Sequence, residues 1–158
     1  MKKLMASLFV VLAMIAAPAF AQDKSAVMNM QILRDKIKAD KKVLVAANMQ
    51  LTDAEAKAFW PIYDAYQNEL KAINERTGNA ILAYADAYKA GPIADAPAKK
   101  FLDEALAIDE AELKLRKDYS AKLTKAIPAA KAARYVQIES KIRAAIRYEL
   151  AANIPLVQ

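Results

Sequence analysis

Apolar side chains recur every three or four positions along most of the chain, which is the spacing of one face of an α-helix. Four such stretches predict helices over residues 26–48, 52–89, 95–126 and 128–151. No run of alternating apolar and polar residues is bounded by turn residues, so we predict no strand. The pattern predicts an all-α fold of four helices, in which helices 2 and 3 form a long, bent antiparallel hairpin and helices 1 and 4 flank it.

The predicted helix ends carry start and stop residues. Thr52 followed three residues later by Glu55 forms a capping box, and Leu51 is the apolar residue just before it. The run Ala90-Gly91-Pro92 ends helix 2, because glycine is common just past a helix and proline cannot continue one. Asp95 is then predicted to cap helix 3 through its side chain.

Pro61 lies well inside predicted helix 2, between Trp60 and Ile62. An interior proline removes one backbone hydrogen bond and costs about 3 kcal/mol. We expect Pro61 to bend the helix, so that it can wrap around its neighbours. The pattern leaves open whether Trp60 faces the core or an exposed groove at this bend.

The first 21 residues differ from the rest of the chain. Lys2 and Lys3 precede an apolar run over residues 4–17, and the small-residue run Ala19-Phe20-Ala21 follows it. This is the organisation of a secretory signal peptide with cleavage after Ala21. The apolar run is shorter than the roughly 20 residues of a membrane span. We expect residues 22–158 to form a single helical domain outside the cytoplasm, without a stable membrane anchor.

The amino-acid composition limits the kinds of reaction and ligand that we expect for this protein. The chain contains no cysteine, so disulfides cannot stabilise it, and no histidine, the commonest general base and transition-metal ligand. Its net charge of +6 falls to +4 without the two signal-peptide lysines, which is short of a nucleic-acid-binding footprint. We therefore predict that the protein is not an enzyme, and that it has no catalytic residue, no metal, no cofactor and no nucleic-acid partner.

Helices 2 and 3 carry more apolar surface than packing on one neighbour requires. On helix 3, one apolar line includes Phe101 and a second contains Leu102, Leu106 and Leu113. Such width fits either two neighbours in a compact bundle or one neighbour and a binding partner. The candidate partner-binding residues are Phe59, Trp60, Tyr63, Phe101 and Leu102, with Arg134, Lys141 and Arg143 supplying positive charge; core packing is the alternative for each apolar one.

Two segments of the chain echo each other. Residues 51–63 and 127–139 both begin with an aliphatic residue and a helix starter, and both place an aromatic residue at the same offset. With its export signal and helical composition, the chain resembles the Spy/CpxP family of periplasmic proteins, in which a motif of the form LTxxQ opens two helices. The matching positions here are Leu51, Thr52 and Glu55 in the first copy, and Ile127, Pro128 and Lys131 in the second. Glu55 and Lys131 replace the glutamine of the motif, and Pro128 replaces its threonine.

The resemblance implies a periplasmic protein whose bent hairpins form a homodimeric cradle. Such a cradle holds unfolded clients through apolar and basic contacts, without ATP. Some members of the family instead bind a sensor kinase and damp envelope-stress signalling. The leading hypothesis is thus a periplasmic holdase chaperone or stress accessory protein. The alternatives are a module that binds one envelope sensor, and a compact structural bundle with no client groove.

Overall fold

The computed structural model of the protein describes residues 40–158. Within the described residues, Leu44–Gln158 form one compact unit. The predicted signal peptide and the first part of predicted helix 1 lie outside the described residues.

Four helices make up most of the described chain. Helix α1 covers residues 40–49, and it is followed by α2 (Asp53–Lys89), α3 (Asp95–Ala126) and α4 (Ala129–Asn153). No strand occurs between residues 40 and 158. The predicted all-α class and the hairpin of helices 2 and 3 are confirmed. The predicted end of helix 1 and the predicted bounds of helices 2, 3 and 4 agree with the observed ones within two residues, whereas the predicted start of helix 1 lies outside the described residues.

The start of α2 has the predicted capping box. The Glu55 backbone N–H donates to Thr52 Oγ1 at 3.3 Å, and the Thr52 backbone N–H donates to Glu55 Oε2 at 2.7 Å. The helix continues through Pro61, whose ring is exposed on the face away from the core. Because proline has no backbone N–H, one helical carbonyl lacks its usual donor here. Pro61 is exposed to solvent, so water can donate to that carbonyl instead. The bend itself stays a prediction.

The predicted cap of α3 is wrong by one residue. Ala94 is the N-cap, with an extended backbone and no side-chain hydrogen bond, and Asp95 is the first helical residue. Because Asp95 lies in the first turn, its carboxylate still interacts favourably with the positive end of the helix dipole. The turn before it follows the prediction, since Gly91 has the positive φ of 125° that glycine adopts most readily.

Helix α3 runs antiparallel to α2. The ring of Tyr119, near the end of α3, lies 5.4 Å from Tyr66 in the first half of α2. The ring of Phe101, near the start of α3, lies 5.5 Å from Tyr84 near the end of α2. Both pairs are edge-to-face, the arrangement that aromatic quadrupoles favour.

Helix α4 runs parallel to α2 and packs on both hairpin helices. Lys131 in its first turn contacts Glu55 in the first turn of α2. Arg143, twelve residues further along α4, contacts Glu112 of α3. The three helices thereby enclose one core, which the last turn of α1 closes with Val45 and Met49. The other buried apolar core residues are Phe59, Tyr63, Tyr66, Leu70, Ile108, Leu115, Tyr119, Leu123, Ile127, Ala132 and Tyr135.

Candidate protein-binding surface

The two motif copies meet each other. Lys131 Nζ donates to Glu55 Oε2 at 2.5 Å, and these two residues occupy the same position in the two copies. The hydrogen bond from Lys131, together with that from the Thr52 backbone, holds the pKa of Glu55 below its usual range. A second matched pair, Phe59 and Tyr135, stacks edge-to-face with ring centroids 5.1 Å apart. The echo in the sequence therefore marks a joint between α2 and α4.

Gln50 completes this joint, although no pattern in the sequence indicates its role. Its φ of 50° is the positive value that a non-glycine residue adopts at a cost of about 1 kcal/mol or more. In this conformation its backbone carbonyl accepts from Lys131 Nζ at 2.9 Å, and its side-chain Oε1 accepts from Arg134 Nη1 at 3.3 Å. Helical periodicity carries no information on such a linker, so the residue could not be found from the pattern.

The remaining motif residues have structural positions. Ile127 is buried, and Leu51 is partly buried against the same core. Thr52 and Pro128 are exposed N-caps at the starts of α2 and α4. All six motif residues thus serve helix starts or the joint between them.

The aromatic residues beside Pro61 belong to the core. Phe59 and Tyr63 are wholly buried, so neither can contact a partner while the chain is folded, contrary to the binding role predicted for them. The physical reason is that α2 has two neighbours, and Tyr135 of α4 covers the part of the apolar face that α3 leaves free. Trp60 is half-buried at the edge of this cluster, with its ring 5.0 Å from Phe59.

One buried carboxylate lies within the aromatic core. Glu139 of α4 is 7% exposed, and its Oε1 accepts from Gln67 Nε2 of α2 at 2.9 Å. The same Gln67 amide donates to Tyr135 Oη at 3.2 Å. Burial first, and the nearby charge of Glu139 second, raise the pKa of Tyr63, Tyr66 and Tyr135. The three tyrosine hydroxyls therefore keep their protons at neutral pH.

The second apolar line of α3 lies at the surface. Leu102, Leu106 and Leu113 are 59%, 55% and 43% exposed, respectively. Their spacings of four and seven residues place them on one stripe of the helix, while Leu115 and Tyr119 on another face are buried. We call these three leucines the leucine stripe. Of its members, only Leu102 was among the predicted binding residues.

The predicted basic residues differ in their availability. Arg143 Nη1 lies 3.0 Å from Glu112 Oε1, so its charge is neutralised within the fold. Arg134 is exposed but hydrogen-bonds to Gln50, and Lys141 is exposed. Arg147 also binds Glu112, at 3.0 Å. Of the three predicted basic residues, Arg143 is therefore paired within the fold, and Lys141 and Arg134 are the accessible part of the set.

Between residues 40 and 158, no group of three or more acidic side chains is arranged to hold a metal ion. Within the same range, no helix is both long and apolar enough to cross a bilayer. The surface of α3 does carry the exposed leucine stripe, beside charged side chains of both signs.

Comparison with known proteins adds no assignment: no family model, curated protein or solved structure matches this chain.

Proposed function

We propose that the protein is a periplasmic, ATP-independent holdase that binds unfolded polypeptide through the leucine stripe of α3. The observation that carries this proposal is the exposure of three leucines on a helix whose core-facing residues are already buried. Because more than two fifths of each of these side chains is exposed within the described residues, a partner would gain the free energy of covering them. Periplasmic location rests on the predicted signal peptide and on the resemblance to the Spy/CpxP family.

The stripe suits weak and general binding. Full burial of one leucine contributes about 1.5–3 kcal/mol, so three partly covered leucines hold a client reversibly. The charges that flank the stripe have both signs. Lys99 pairs with Asp103 at 2.5 Å, and Lys114 pairs with Asp118 at 2.6 Å. Exposed pairs of this kind exchange easily for pairs with a client, since each contributes little to stability.

The experiment is a light-scattering assay with α-lactalbumin, which aggregates when its disulfides are reduced. We expect the protein to suppress this aggregation without ATP. Replacing Leu102, Leu106 and Leu113 together by glutamine keeps high helix propensity and removes the apolar stripe. The triple variant should melt like the original protein and require on the order of tenfold more protein for the same suppression.

A matched control uses exposed apolar residues elsewhere. Leu82 on α2 and Tyr148 on α4 are both highly exposed and lie off the stripe. Replacing both by glutamine should leave suppression unchanged. The proposal fails if the original protein does not suppress aggregation at an equimolar ratio, or if the control variant loses as much activity as the stripe variant.

The narrowness of the stripe favours one second candidate, a module that binds a single envelope protein such as a sensor domain. Three leucines in line match one helix of a partner better than a wide client surface. A pull-down from periplasmic extract separates the two functions. One stoichiometric partner, lost in the stripe variant, would favour the sensor-binding module, whereas many weakly bound proteins would favour the holdase.

A further inference from the structure

A second aromatic cluster lies at the far end of the hairpin from the core aromatics. Tyr84 and Tyr88 stand one turn apart near the end of α2, with ring centroids 6.2 Å apart. Phe101 of α3 packs edge-to-face on Tyr84 at 5.5 Å. All three rings are half-buried, and we call them the aromatic end. No motif residue and no leucine of the stripe belongs to it.

Residues 154–158 lie against this aromatic end in a non-helical conformation. The Tyr84 hydroxyl donates to the backbone carbonyl of Pro155 at 2.8 Å. The Gln158 side-chain amide donates to the Tyr88 hydroxyl, also at 2.8 Å. We call residues 154–158 the tail. Two tyrosines thus bind one backbone carbonyl and one side-chain amide in the tail.

Two apolar side chains of the tail are mostly exposed, and a third, Ile154, is half-buried. Leu156 is 87% exposed and Val157 is 53% exposed. The tail is therefore bound through its polar groups, which are groups that any extended polypeptide offers. With Leu156 and Val157 mostly in water and its hydrogen bonds at half-exposed rings, the tail gains only limited hydrophobic burial and is easily displaced.

We propose that the aromatic end is a docking site for extended peptide segments, and that the tail occupies it until a segment of an unfolded polypeptide replaces it. The ligand is an extended stretch of chain that presents a carbonyl oxygen to Tyr84 and an amide or other donor to Tyr88. Apolar side chains on that stretch can then cover the rings, as the tail does not. This inference rests on the proposed holdase function for its ligand class, and it adds a second binding site, which shares no residue with the leucine stripe but begins beside it, because Phe101 precedes Leu102 on α3.

Tail docking can be measured on the full chain, because the protein has no cysteine to interfere with labelling. A nitroxide on Leu156→Cys reports tail mobility, and this side chain makes no contact that the label would break. Replacing Tyr84 and Tyr88 together by phenylalanine removes both hydroxyls and keeps both rings. We expect the ratio of immobile to mobile label to fall on the order of tenfold. Tyr148→Phe removes an exposed hydroxyl elsewhere and should change nothing.

Displacement is tested by adding ligand to the labelled protein. The probes are a synthetic peptide copy of residues 153–158, and reduced, carboxymethylated α-lactalbumin as a permanently unfolded polypeptide. Both should mobilise the label, whereas native α-lactalbumin, whose chain is folded, should not. If the label is mobile from the start, or Tyr84→Phe with Tyr88→Phe leaves it immobile, the tail contact is refuted.

The two proposals fail separately. If the protein suppresses aggregation but unfolded α-lactalbumin leaves the tail label immobile, the aromatic end is not a client site and the holdase function stands on the stripe alone. If the peptide displaces the tail but aggregation is not suppressed, the docking site stands as a peptide site and the holdase function falls.

Discussion

At the scale of single residues, Glu55 and Lys131 form an ion pair, so each residue accounts for the presence of the other. Each departs from the glutamine of the motif that the chain resembles, and taken singly each looks like decay of that motif. In the folded chain they are partners across the α2–α4 joint, and Lys131 also binds the backbone carbonyl of Gln50. The spacing of the two copies indicated equivalent positions, but one-dimensional spacing does not say that equivalent positions touch.

The hydrogen bonds of Lys131 at this joint should contribute to the stability of the folded protein. Lys131→Met should lower the melting temperature by a few degrees, because it leaves the Glu55 carboxylate and the Gln50 carbonyl without their shared donor. Lys141→Met is the matched control on the exposed face of the same helix and should change stability by no more than about 0.5 kcal/mol. Thermal unfolding followed by circular dichroism measures both.

The pH dependence gives this prediction its second readout. The folded-state pKa of Glu55 lies below its unfolded value, so its stabilisation is present above the unfolded value and disappears as the pH falls through the folded one. The difference in stability between the original protein and Lys131→Met should therefore shrink in acid. An equal difference at pH 7 and below pH 3 would show that the ion pair is not the cause.

At the scale of helices, the sequence predicted the bounds of α2, α3 and α4 well and the use of their apolar faces only in part. Bounds follow from local signals such as the Thr52 capping box and the Gly91 turn, which need no neighbour. The width of an apolar face says how much surface must be covered, but not by how many neighbours. Phe59 and Tyr63 were therefore assigned to a partner, although α4 covers them.

The tyrosines buried between the helices also predict that the protein loses stability at alkaline pH. Burial raises the pKa of Tyr119 to about 12, helped by its 2.5 Å hydrogen bond to Glu69, and raises the pKa of three further core tyrosines as well. For a group with a raised folded-state pKa, stabilisation is complete below the unfolded value near 10 and is lost as the pH rises through the folded one. We expect the protein to lose stability above pH 10, and these tyrosines to ionise only as it unfolds.

Tyrosinate absorbance and circular dichroism, recorded together, check this. The last and largest part of the tyrosinate signal should rise with the loss of helix. Tyr119→Phe should remove about one tyrosine from that late step, while Tyr148→Phe, which alters an exposed ring, should not. Complete ionisation of all seven tyrosines in a fully helical protein would contradict the assignment of the aromatic cluster to the core.

At the scale of the molecule, the fold buries some apolar residues in the core and leaves others exposed at the surface. Aromatic residues near the starts of α2 and α4 build the core, and the leucine stripe of α3 remains at the surface. The predicted surplus of apolar surface was therefore present, but Leu106 and Leu113 carry it with Leu102, rather than Phe59 and Tyr63. Only the packing of α4 decides which residues are left over, and packing between distant segments is not encoded in local periodicity.

The central claim is that the leucine stripe binds unfolded polypeptide while the core stays intact. Methyl NMR of leucine-labelled protein, titrated with reduced, carboxymethylated α-lactalbumin, tests it most directly. We predict that the methyl signals of Leu102, Leu106 and Leu113 broaden or shift, while those of the buried Leu115 and Leu123 keep their positions and widths. Core signals that change as much as stripe signals, or stripe signals that do not respond, would contradict the account.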